Sequence, residues 1–248
     1  NIASLSNRVI ALQSLGRDAA AVAAARAAHQ KFPDNAELRW TYGATALLNG
    51  DCENGWPALE ARWDLPGAGK RPQPSELGCP AWTGKEPIEG RTLLLLAEQG
   101  FGDTLQFARY LPLLAARAGK VTVRAHQQLV TLLRESLPGV NVMGDRGDVG
   151  PYDYDVALMS LPRLFKTRLE SIPAETPYLR PPAVVVERWG KRLAGMPGVK
   201  IGLVWAGNPE HVNDARRSVD LSLLEPLFEV PGVSFASLQV GARAADLK

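Results

Sequence analysis

The residues of this chain that could do chemistry gather in two short segments. The first is Arg91–Arg109, RTLLLLAEQGFGDTLQFAR. A short apolar run, Thr92–Ala97, breaks at Gly100 and Gly102, and Asp103 follows at once. Ligands of open α/β sheets bind where a strand ends and the next helix begins. A carboxylate there can take a proton from a reacting hydroxyl, or it can cap the helix. Asp103-x-x-Gln106 reads as a capping box with Asp103 as the N-cap, a feature worth about 1 kcal/mol. The two roles are compatible, and spacing leaves both open. Glu98, at the end of the same run, is a second candidate acid or a partner for a nearby arginine.

The second segment follows another apolar run, Val199–Ala206, and reads Trp205-Ala-Gly-Asn208-Pro-Glu-His211-Val-Asn213-Asp-Ala-Arg216-Arg217-Ser218. Amides, an imidazole, two guanidiniums and a hydroxyl suit a phosphate-bearing ligand, because Arg grips phosphate through two parallel hydrogen bonds. By composition alone the same text is also a solvated polar loop. The glycines of the first segment do not make a dinucleotide site. Gly100-x-Gly102 begins the fingerprint, but Leu105 stands at its third glycine. The second strand-like run ends Arg124-Ala125-His126 without the acid that holds a ribose. A GxxxxGK[ST] loop is absent too, which leaves a backbone that a substrate can approach, with N–H groups open at a helix start. His126 could face the same crevice, although a surface position suits it better, and His29 reads as structural.

These segments need a scaffold, and the pattern supplies one. From Thr92 onward, strand-like runs alternate with helical ones. Thr92–Ala97, Lys120–Arg124, Val140–Met143 and Tyr154–Ser160 are predicted strands; about 104–118 and 127–136 are predicted helices. Such alternation predicts right-handed βαβ units and a parallel sheet. The Tyr152-Asp-Tyr-Asp155 run leads into the last strand. A Pro-rich bend (173–182) and a helix near 184–194 follow. A second unit then opens with strands at 199–206 and 233–238 around a helix at 222–229. Residues 1–63 are Ala-rich and helical. Gly16 and Gly50 lie 34 positions apart, the tetratricopeptide period. In that register Ala21, Ala28 and Pro33 fill the small and terminating positions of one repeat. Gly43, Gly50, Gly55 and Leu59 fit the next, from which Arg62 and Gly67 depart. Small residues matter because paired helices must approach closely. Trp40, Trp56 and Trp63 read as packing residues of these repeats. Residues 64–90, rich in Pro and Gly, read as a linker with Trp82 as an anchor. The expected domains are therefore helical repeats (1–63), linker (64–90), a Rossmann-like domain (91–182), and a connecting helix with a partial second domain (183–248).

The bulk numbers narrow the class. At 248 residues and 46% hydrophobic, the chain can bury a core, and 28 basic against 26 acidic residues is too even for a nucleic-acid binder. Two distant cysteines, Cys52 and Cys79, argue against a disulfide framework or a zinc site and fit a reducing, cytoplasmic compartment. No apolar run approaches the roughly 18 residues of a membrane span. The chain opens at Asn1 in helical text and stops at Lys248 soon after an apolar run. It is expected to be a piece, or the ordered part, of a longer protein.

The order GWPALEARW, PAWTGKEPIEGRTLLLLAEQGFGDTLQFARYLPLLA, DYDVALMSLPRLF, IPAETPYL, GLVWAGNPEHVNDARRS and FASLQ resembles bacterial tetratricopeptide proteins. These carry a C-terminal region similar to the lipopolysaccharide heptosyltransferases (glycosyltransferase family 9). The resemblance implies a GT-B fold, two Rossmann-like domains facing each other across a cleft. It also implies inverting, metal-independent transfer from a nucleotide-diphosphate sugar to a glycan or protein acceptor, with no other cofactor. Asp103 would be the general base beside Gly100 and Gly102. Asn208, His211, Asn213, Arg216, Arg217 and Ser218 would hold the donor, with Arg216 or Arg217 neutralising the leaving diphosphate. The family often has Lys near that place, so which Arg carries the role stays open. The family's later DT-x-x-x-H-x-x-G-like motif has no counterpart before Lys248, so this stretch alone is expected to be inactive. The rival expectation is a scaffold whose repeats recruit a protein partner beside a non-catalytic GT-B-like domain. A nicotinamide oxidoreductase is disfavoured by Leu105 and the missing acid.

Overall fold

Four helices open the chain in a computed structural model that describes residues 1–66, 74–145, 150–210 and 214–247. They are α1 (Ile2–Ser14), α2 (Asp18–Lys31), α3 (Ala36–Leu48) and α4 (Cys52–Leu59), followed by a 3-10 turn at Glu60–Asp64. Asn35 and Asp51 start α3 and α4 by accepting the N–H groups of Leu38 and Asn54. Gly16 and Gly50 follow α1 and α3 at φ +66° and +79°, where a side chain would be strained. Ala21, Ala25, Ala46 and Ala58 are buried together with Val9 and Tyr42. A Cβ on Gly43 would come within 2.7 Å of the Leu59 backbone nitrogen, so α3 and α4 meet backbone to backbone there. That closeness corrects one expectation. Small residues do the packing, which leaves Trp40 exposed and Trp56 and Trp63 half-buried. Trp56 instead reaches out to Phe107 at a ring distance of 6.3 Å.

The next elements are α5 (Pro74–Leu77), β1 (Thr92–Leu96), α6 (Phe101–Ala108), α7 (Leu111–Ala115) and β2 (Lys120–Ala125). After them come α8 (Val130–Ser136), β3 (Val140–Gly144), β4 (Tyr154–Ala157) and α9 (Leu161–Leu164). The four strands are parallel in the order β3-β2-β1-β4. The chain thus steps from β1 outward through β2 to β3, then returns to the other side of β1, and the switch point lies between β1 and β4. Leu93 and Leu95 point into the main core with Leu111, Leu114, Val123 and Leu133. Leu94 and Leu96 point to the other face, against Leu77 and Cys79.

Three expectations change in detail. The helix predicted over about 104–118 begins at Phe101 and breaks after Ala108. Pro112 enters at the start of α7 and lacks the N–H that a continuous helix would use. The predicted strand 154–160 stops at Ala157, and a 3-10 turn carries residues 158–160. Residues 64–90 are more than a linker: Trp82 is 4% exposed in the main core. Its backbone N–H donates to the Asp155 carbonyl at 2.9 Å, and its indole donates to the Glu86 carbonyl at 3.0 Å. Asp153, in the Tyr-Asp-Tyr-Asp run, accepts both the N–H (2.7 Å) and the hydroxyl (2.8 Å) of Thr92, which ties the entry of β4 to β1.

The chain divides into two compact units, Asn1–Pro182 and Ala183–Lys248. The second holds α10 (Ala183–Leu193), β5 (Val199–Leu203), α11 (Asp214–Arg217), α12 (Glu225–Phe228) and β6 (Val233–Ser237). β5 and β6 pair in parallel from Val199↔Val233 to Leu203↔Ser237. Val199 and Ile201 are exposed on β5, whereas parallel sheets bury both faces. Among the described residues no helix is long and apolar enough to cross a membrane.

Candidate functional site

At the end of β1, Glu98 is consumed by an ion pair. Arg62 donates from Nε to Glu98 Oε2 at 2.8 Å and from Nη2 to Oε1 at 2.9 Å, a two-point grip. The Met159 N–H adds a third bond to Oε1 at 3.1 Å. Arg62 also donates to Glu60 (2.8 Å) and to the Ser160 hydroxyl (2.9 Å), and Ser160 donates to Glu60. The guanidinium is 3% exposed. Burial alone would lower its pKa, but hydrogen bonding and attraction from Glu98, then from Glu60, outweigh this and raise it. Arg62 therefore stays charged, and Glu98 acts as its counter-ion rather than as a catalytic acid. Arg62, from the 3-10 turn that follows α4, thus bridges the residues after β1 and β4.

Beyond Glu98 the backbone turns sharply. Gln99 sits at φ +62°, the left-handed region that non-glycine residues rarely occupy. Gly100 follows as the N-cap of α6. Asp103 is not the N-cap but the third helical residue, and its Oδ2 accepts the Gly100 N–H at 3.0 Å. The cap therefore runs backward across one turn, from Asp103 to Gly100, and Gln106 is not its partner: at the other end of α6 its backbone carbonyl accepts from the Arg109 side chain. A carboxylate in the first turn also suits the positive end of the helix. Asp103 Oδ1 makes no hydrogen bond among the described residues.

Asp103 is half-buried and lines a cleft of about 980 Å³ with Leu47, Trp56, Gly102, Arg109 and Met159. A Cβ on Gly102 would meet nothing within 4 Å, so this backbone is open to approach. The Arg109 guanidinium lies over the Tyr178 ring at 4.6 Å and donates to the Pro173 carbonyl at 2.9 Å. His126 lies tilted beside Phe101 at 5.0 Å, and its buried Nε2 has no hydrogen-bond partner among the described residues. His29 stacks on Tyr42 at 5.3 Å, a packing role.

In the second unit the loop after β5 is pinned from within. Gln239 Oε1 accepts the N–H groups of Trp205 (3.1 Å) and Ala206 (3.0 Å), and its Nε2 donates to the Ala206 carbonyl at 3.0 Å. The Ser218 hydroxyl accepts the Gly207 N–H at 3.0 Å and donates to Asp214 at 2.7 Å. A side chain on Gly207 would collide with the Arg217 guanidinium, whose Nε is 3.8 Å from Asp214. Asn208 Oδ1 accepts the Glu210 N–H at 3.1 Å, a local turn. Asn208, Arg216 and Arg217 are exposed, and Ser218 is half-buried. His211 and Asn213 lie outside the described residues. The Trp205 indole donates to Asp246 at 3.0 Å, and Arg243 donates to the same oxygen at 2.7 Å. These contacts, led by the indole, hold the Asp246 carboxyl below the usual carboxylate range.

Gly100, Gly102 and Asp103 thus lie together in the first unit, and in the second Arg217 and Ser218 both lie against Gly207. Arg62, Ser160 and Gln239 were missed as site residues. Arg62 carried one signal, its departure from the repeat pattern. Among the described residues no group of three or more His, Cys, Asp or Glu could hold a metal ion. Cys52 and Cys79 are buried and free.

Among curated proteins, Protein FlbA of Caulobacter vibrioides is similar to this chain, 30% identical over 257 aligned positions. The alignment takes in 95% of this chain and 43% of FlbA, so the chain spans less than half the length of that relative. No family model matches the chain, and no solved structure matches it.

Proposed function

We propose that this chain is the base-bearing part of a metal-independent glycosyltransferase that uses a nucleotide-diphosphate sugar. In this reading α1–α4 are two tetratricopeptide repeats. The four-stranded sheet is then the acceptor-side domain of a GT-B fold, and the β5–β6 unit begins the donor domain. The observation that carries the reading is the division of labour at the end of β1. Glu98 is locked by Arg62, while Asp103, which lines an open cleft, keeps one carboxylate oxygen unbonded among the described residues. A hydroxyl acceptor has a pKa far above 7 and needs a base as its bond forms. Asp103 takes that proton. Departure of the nucleoside diphosphate develops negative charge, which Arg216 or Arg217 and the backbone around Asn208 stabilise. One carboxylate, with no covalent sugar intermediate, inverts the anomeric centre. The acceptor is a glycan or a protein segment lying along the repeats. The free buried cysteines fit a reducing compartment, the cytoplasm.

The test uses the complete protein. Asp103→Asn keeps the bond to Gly100 and removes the base. Sugar transfer should fall by about 10²- to 10⁴-fold, with nucleotide-diphosphate affinity unchanged by calorimetry. Transfer at the wild-type rate overturns the assignment. Absence of nucleotide binding in the wild-type protein, with partner binding through the repeats intact, leaves the scaffold reading instead.

A further inference from the structure

We infer that Arg62 is a positioning residue for Asp103, so that the last turn of the helical repeats sets the geometry of the carboxylate on the sheet domain. The inference rests on the base reading above and adds a residue to it. The chain of contacts is short. Arg62 grips both oxygens of Glu98, and the Met159 N–H, after β4, fixes the same carboxylate. Three hydrogen bonds therefore hold Glu98 beyond the C-terminal end of β1. The next residue, Gln99, holds a left-handed backbone that a non-glycine residue adopts only when its surroundings impose it. The residue after that, Gly100, donates the N–H that holds Asp103 Oδ2, and Oδ1 is left without a hydrogen bond among the described residues. One residue, Gln99, thus separates a clamped carboxylate from the amide that orients the base. Arg62 lies within the Glu60–Asp64 turn that directly follows α4, and α4 contributes Cys52, Trp56 and Leu59 to the wall of the same cleft. A group that docks along the repeats therefore borders the element that holds the turn.

Two variants of the complete protein test this. Arg62→Lys keeps the charge but offers a single point instead of a planar fork. Arg62→Met with Glu98→Gln removes both charges, so neither is stranded in the interior. Hydrogen exchange at the Gly100 amide is measured beside steady-state transfer. In both variants the Gly100 amide should exchange at least tenfold faster, and kcat should fall at least tenfold with the donor KM unchanged. A lowered unfolding temperature with Gly100 exchange and kcat at wild-type values overturns the inference and leaves Arg62 as structural glue. Asp103→Asn serves as the control for the underlying reading. If Asp103→Asn leaves transfer intact, the base reading fails. The Gly100 exchange then decides alone whether Arg62 holds the turn.

Discussion

The junction after β1 and the junction after β5 both lead from a parallel strand toward a helix, and they are held by opposite chemistry. After β1 the anchor is ionic and distant in sequence: Arg62 reaches Glu98 across 36 positions and Ser160 across 98. After β5 the anchor is neutral: Gln239 satisfies two N–H groups and one carbonyl by itself. The ionic anchor holds one buried guanidinium between two carboxylates, Glu98 and Glu60, and Asp103 beside it keeps an oxygen unbonded among the described residues. The neutral anchor immobilises the backbone without a charge, so the exposed cations of the loop do not have to supply rigidity. At the β1 junction the ion pair takes Glu98 out of play. At the β5 junction an amide fixes the backbone and adds no charge.

The comparison can be broken at four points. The largest effect is expected for Arg62→Met alone. It strands Glu98 in the interior, and loss of one partner of a buried pair costs about 3–5 kcal/mol, readable as a drop in denaturant midpoint. Adding Glu98→Gln should recover most of that loss, and failure to do so would show that the charge is not what matters. Gln239→Leu comes next. It leaves the buried N–H groups of Trp205 and Ala206 without an acceptor, at about 1–3 kcal/mol for each unsatisfied group. Trp205 fluorescence should follow the loosening of the loop. Ser218→Ala removes the hydroxyl that bridges Gly207 and Asp214 and should cost about 1 kcal/mol, with faster exchange at the Gly207 amide. The smallest effect is a pH dependence. The Asp246 carboxyl is lowered by the Trp205 indole and by Arg243, so its contribution is complete above the ordinary carboxylate pKa. It fades as pH falls through the lowered value. Acid titration should change Trp205 emission in that window, and Asp246→Asn should abolish the change.

Much of the fold was legible because hydrophobic period is a local property. Leu93–Leu96 and Val121–Val123 read as buried parallel strands, and they are. The Gly16 and Gly50 turns, and the small residues Ala21 and Gly43, declared themselves by type. The boundaries that moved did so for local reasons that periodicity does not weigh. Pro112 split one helix in two, and Gly100 took the cap that Asp103 was expected to hold. Trp40, Trp56 and Trp63 were misplaced because the contacts between α3 and α4 are too close for an indole. The cap itself was legible only in part: the acid and the helix start were both seen, but the direction of the hydrogen bond was not.

The sequence by itself determined the alternation of strands and helices, the turn at Gly100–Asp103 and the gathering of polar residues at 207–218, because each rests on residues close to one another along the chain. Whether Glu98 or Asp103 is available for chemistry was decided only in three dimensions. The partner that removes Glu98 comes from the end of the helical repeats, and the one that fixes Ala206 comes from beyond β6. Ion pairs and buried amides act over 3 Å in space whatever their separation along the chain, and no local pattern records which residues the fold will bring that close.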